Sequence, residues 1–165
     1  MKYRSDFVTN SSSSSFIVAF NSKEEGIEYF EKKLKYDKIF QEVIDDINRA
    51  KPMTMKEVLK YAEEEFMGET HYILMCKPYG VHRSFCDYME EKYQDIKYHE
   101  IFNHPDCIAY QKELIKNKME EFKKRIENKS FFVELEYEDH TPNGSELEHN
   151  IMPQLDCTME RFSHH

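Results

Sequence analysis

Five consecutive serines, Ser11–Ser15, stand between an apolar pair, Phe7 and Val8, and a strand-like run, Phe16–Phe20. A flexible serine linker has polar neighbours on both sides. Here both flanks want burial, which predicts a short, ordered loop tied to a strand buried on both faces. With Asn10, the run gathers six oxygen-bearing side chains in one place. Such a loop is expensive to pack against apolar matter unless its oxygens find hydrogen-bond partners or a ligand.

The rest of the chain supplies alternating structure. Ser22 and Glu25 form a capping box ahead of Ile27, Phe30 and Leu34 at helical spacing, and Tyr36, Phe40, Val43, Ile44 and Ile47 continue the stripe past a break near Asp37. Thr54 and Glu57 open a helix carrying Val58, Leu59, Ala62 and Phe66, with Gly68 as its stop. Tyr72–Cys76 reads as a second strand, and Val81, Phe85, Tyr88 and Met89 as a helix. Ile96–Asn103 is ambiguous. Pro105 opens a long amphipathic helix whose outer Lys and Glu residues form a solvated face. Phe131–Tyr137 alternates as a third strand, with Glu134 and Glu136 on its wet side. Ser145 and Glu148 form a capping box over a short helix ended by Pro153, and Cys157–Ser163 is a short fourth strand.

These elements predict one α/β domain over residues 1–165, with α+β as the alternative. Its small mixed sheet of three to four strands is covered by amphipathic helices near 38–49, 55–67 and 105–127. Charged residues make up 33% of the chain, but 12 Phe and 11 Tyr provide the burial that a disordered chain lacks. A net charge of -9 argues against a nucleic-acid binder, which needs a basic face. No apolar run is long enough to span a bilayer, and the start lacks the pattern of a signal peptide. The four cysteines show no C-x-x-C spacing, which argues against a zinc ribbon or redox pair. Reduced thiols in a cytoplasm are the expectation.

The opening, Arg4-x-x-Phe7-Val8-Thr9-Asn10 followed by the serines and Phe16, resembles the start of many uncharacterised bacterial and phage-associated proteins. Some of these also share a late pattern, matched here by Tyr137, Asp139, Gly144, Leu147, Glu148 and His149, then Arg161, Ser163 and His165. The resemblance covers the two ends and brings no activity with it. It implies that the two ends belong to one structure.

Three chemistries are compatible with those ends. Arg4, Asn10, Ser11, Ser12 and Ser13 could present hydroxyls and N–H groups to a phosphate-containing ligand. Against this, the hydroxyls could satisfy their own backbone in a surface turn. Asp139, Glu148, His149 and His165 are ligand types for a divalent metal, although no H-E-x-x-H spacing supports them. Asp139, His149 and His165 could instead act as acid–base or nucleophile-activating catalytic residues. Glu148 has a competing capping role, and terminal histidines are commonly just solvated. There is no Walker loop and no G-x-S-x-G elbow. ADP-ribosyl transfer is rejected because Arg4 lies too close to the serines. If the third and fourth strands run parallel and the first antiparallel to them, Asp139, His140, His164 and His165 meet the serine loop at one sheet edge. A hairpin of the last two strands would separate them. Two functions follow: a small cytoplasmic ligand-binding protein or enzyme with this polar site, or a non-catalytic acidic module, phage-associated, that blocks a protein partner.

Overall fold

The computed structural model describes residues 13–138, 141 and 143–164. Its chain divides into two compact units: Met1–Met55 with Asn128–His165, and Lys56–Glu127 between them in sequence. The sequence shows no boundary at either junction, because no Gly- or Pro-rich linker marks them.

In the first unit, strand β1 (Ser13–Phe20) is followed by helices α1 (Lys23–Leu34) and α2 (Phe40–Arg49). The unit resumes with β2 (Phe131–Glu138), a short helix, two irregular turns and β3 (Thr158–His164). The strand order is β2-β1-β3, and β1 is antiparallel to both neighbours. The sheet is therefore three-stranded and antiparallel throughout, where the sequence suggested a mixed one. One face carries Phe16, Val18, Phe20, Val133, Leu135 and Tyr137. It packs against Phe30, Phe40, Val43, Ile44 and Ile47 of the two helices. Alternation puts Ile17, Ala19, Phe132 and Phe162 on the other face, and these are buried too. That explains why Phe16–Phe20 reads as a continuous apolar run.

Local signals set the helix starts. Ser22 Oγ accepts from Glu25 N at 3.2 Å, and the Glu25 carboxylate accepts from Asn21 N at 2.7 Å. Asp37 accepts from Ile39 N at 3.0 Å in the break between α1 and α2. The serine run does not behave as a loop throughout. Ser13–Ser15 are strand residues, because Glu138, Tyr137 and Glu136 on one side and His164, Ser163 and Phe162 on the other extend the ladder to them.

The second unit contains α3 (which begins at the junction and spans Met55–Cys76), α4 (Phe85–Lys92), α5 (Tyr98–Ile101) and α6 (Pro105–Ile126). Tyr72–Cys76 is not a strand but the end of α3. Val58, Ala62, Phe66, Thr70 and Leu74 are buried every fourth residue, so one stripe runs past Gly68. Gly68 sits on the exposed side with open space around it and does not stop the helix. A five-residue apolar run cannot distinguish strand from helix by period. Val81 is 98% exposed and lies before α4, which starts one residue after its cap, Ser84. His104 caps α6 ahead of Pro105, its Nδ1 accepting from Asp106 N at 3.2 Å. Leu74, Phe85, Cys86, Met89, Ile101 and Cys107 form a core here. Burial pushes the Cys86 thiol up to about 11, as expected of an inert core cysteine. No helix among the described residues is long and apolar enough to cross a membrane.

Tyr137 gives the first unit a specific alkaline weakness. Its ring is buried, and its hydroxyl donates to Asp46 Oδ2 at 3.3 Å. Burial, then the Asp46 charge, pushes the phenol well above its ordinary value. A raised acid contributes stability that is complete below its unfolded pKa, about 10, and is lost as pH rises beyond it. Urea midpoints of the wild type should therefore fall more steeply above that pH than those of Tyr137→Phe. Parallel pH profiles would show that the phenol carries no such linkage.

Candidate functional site

The start of β1 and the ends of β2 and β3 meet at one edge of the sheet. Ser13 pairs with Glu138 and His164, and Ser14 with Tyr137 and Ser163. β2 and β3 thus run in the same direction on either side of β1, and the hairpin alternative is excluded. Arg4, Asn10, Ser11, Ser12, Asp139, His140 and His165 lie outside the described residues.

Strand alternation selects what meets on the helix-covered face. Ser14 and Phe16 share that face, and Arg161 pairs with Phe16, so Ser14 and Arg161 are diagonal cross-strand neighbours. Ser13 belongs to the opposite face and does not join them. The third participant comes from the connection between β2 and β3. There α7 (Gly144–Glu146) widens into a π turn, Leu147–Ile151, and then tightens to a 3-10 turn at Met152–Gln154. Leu147 enters the core, and Glu148 beside it has no exposed surface. π turns of this kind recur at functional sites.

Glu148 is therefore not a capping residue. The helix starts at Gly144, so Ser145 lies inside it, and its N-cap, Asn143, makes no side-chain cap bond. The Glu148 carboxylate instead reaches the sheet. Ser14 donates its hydroxyl to Glu148 Oε1 at 2.7 Å. Arg161 Nε donates to Ser14 Oγ at 3.1 Å, and Arg161 Nη2 to Glu148 Oε1 at 3.3 Å. The guanidinium lies over the Phe16 ring, 5.7 Å from its centroid. A residue from each end of the chain thus meets a buried carboxylate.

The arrangement is one-sided. Glu148 Oε2 is buried with no hydrogen-bond partner among the described residues. His149 Nε2 stands 3.8 Å from it, too far for a hydrogen bond, and the His149 side chain is 43% exposed. Arg161 is 31% exposed. Two partly exposed side chains thus stand beside the buried carboxylate.

Of the expected site residues, the structure brings Glu148 and His149 together and adds Ser14 and Arg161. Ser14 belongs to the serine run but not to its expected ligand-binding members. Arg161 figures only in the resemblance, although its parity with Met159 and Ser163 places it on the correct face. Among the described residues, no group of three His, Cys, Asp or Glu is placed to hold a metal ion. The guanidinium on the Glu148 carboxylate already supplies a countercharge there. No protein-family model, curated protein or solved structure matches this chain.

Proposed function

We propose that this chain is a small-ligand-binding protein whose site is the sheet edge around Ser14, Glu148, His149 and Arg161. The observation that carries the reading is Glu148 Oε2, a carboxylate oxygen fully buried without a partner among the described residues. Leaving such a group unmet costs about 1–3 kcal/mol, so it marks a place that a donor fills. The partly exposed His149 and Arg161 flank the carboxylate.

Binding is favoured over catalysis. Ser14 and Glu148 resemble a nucleophile with its base, but Ser14 is fully buried and its oxygen already accepts from Arg161. A serine held in this way orients the carboxylate and does not attack a substrate.

The test is a thermal-shift screen of wild type and Glu148→Gln against amino acids, nucleotides, phosphate, magnesium and zinc. A ligand near a hundredfold over its Kd stabilises by about 2.7 kcal/mol, or roughly 5–10 °C for a chain of this size. We expect one class to produce that shift in the wild type and none in the variant. No shift with any compound, together with a variant less stable than the wild type, would make the cluster a structural staple.

A further inference from the structure

We infer that the ligand is a small zwitterion of the amino-acid type, its ammonium on Glu148 Oε2 and its carboxylate on the outer N–H groups of Arg161. The inference rests on the binding reading above and names its chemistry.

Glu148 and Arg161 form a contact ion pair, Oε1 to Nη2 at 3.3 Å. The pair is neutral as a whole, but it presents an acceptor at one end and donors at the other. Oε2 is the acceptor, without a hydrogen bond among the described residues. Arg161 uses Nε on Ser14 and one Nη2 hydrogen on Glu148, and the rest of its fork makes no hydrogen bond among the described residues. A ligand that satisfies both ends must carry a donor and an acceptor side by side in the opposite order.

Simpler ligands fail on charge. Phosphate suits Arg161 but brings negative charge against Oε2. A metal ion suits Oε2 but brings positive charge against the guanidinium. An amine alone leaves Arg161 unused, and a carboxylate alone leaves Oε2 unmet. An α-amino acid has ammonium and carboxylate separated by one carbon, the separation that adjacent members of a contact ion pair require. Both contacts would be charge-assisted, and the guanidinium fork matches a carboxylate in plane. The Phe16 ring lies beneath Arg161, its centroid 5.7 Å from the guanidinium carbon. His149 Nε2 lies 3.8 Å from Oε2 with its side chain 43% exposed, on the side from which the ammonium would approach.

The experiment is calorimetric titration of the full wild-type chain with each common amino acid. The amine lacking the carboxylate, the acid lacking the amine, inorganic phosphate and zinc are titrated in parallel. The expected result is binding of at least one amino acid at submillimolar Kd. Its amine and acid counterparts should bind roughly ten- to a hundredfold more weakly, the cost of leaving one charged partner unmet. Arg161→Lys, which keeps the charge but loses the fork, should weaken the amino acid roughly tenfold or more and the bare amine little. The wild-type series decides the matter even if that variant does not fold. If the amine, phosphate or zinc binds as tightly as the zwitterion, the ligand class is wrong and the binding site stands. If no probe binds at millimolar concentration, both inferences fall.

Discussion

Arg161→Ala is expected to destabilise the chain by about 3–5 kcal/mol, far more than a half-exposed arginine ordinarily contributes. The reason lies in what it leaves behind. Glu148 has no exposed surface, and Arg161 is the guanidinium bonded to its Oε1. Removing the guanidinium leaves a buried carboxylate with the Ser14 hydroxyl as its donor among the described residues. The Ser14 oxygen loses its N–H donor in the same step. Breaking a buried pair costs more than the pair contributes, because replacing both members with apolar groups is often neutral. The double variant Arg161→Ala with Glu148→Leu should therefore recover most of the loss. Urea unfolding measures both. A loss below about 1 kcal/mol for Arg161→Ala would show that Glu148 has another strong partner.

The contrast between what sequence did and did not reveal has a physical basis. Phe16–Phe20, the break at Asp37 and the starts at Ser22 and Pro105 were legible because their signals lie within a few residues of the structure they cause. Tyr72–Cys76 was misread because its apolar run is short and the stripe that includes Leu74 begins at Val58, well upstream. The site depends on relations that no local pattern carries. Ser14, not Ser13, faces Glu148, and a one-residue slip of β1 would exchange them. Glu148 reaches Ser14 only because the helix after β2 widens to a π turn, which has no sequence signature comparable to a capping box. Its candidacy as a polar site residue was visible, whereas its partners were not. The meeting of the chain ends followed from one topological alternative, β2 and β3 both antiparallel to β1. Residue types alone could not choose it over a hairpin.

The same geometry makes Gly144 the residue on which the turn depends. A Cβ there would lie 2.0 Å from the Glu138 carbonyl oxygen and 2.0 Å from Thr141 Oγ1. Neither neighbour can yield easily. Glu138 is the last residue of β2, paired with Ser13. Its carbonyl accepts from Thr141 N at 3.1 Å, and the Thr141 carbonyl accepts from Gly144 N at 3.1 Å. Asn143 is tied to Glu42 of α2 at 2.7 Å. An added methyl must push the chain outward, and three residues later that chain carries Leu147 into the core. Gly144→Ala is therefore expected to cost about 3 kcal/mol, at the upper end for overpacking, and to abolish whatever ligand response the wild type shows. Gly68→Ala is the control. Gly68 lies exposed inside α3 with nothing within 4 Å of an added Cβ. There the same change should stabilise by about 0.5–1 kcal/mol, the ordinary helix gain. Urea midpoints should thus move in opposite directions. A neutral Gly144→Ala would mean that β2 and α7 do not approach so closely, and the route by which Glu148 reaches Ser14 would have to be redrawn.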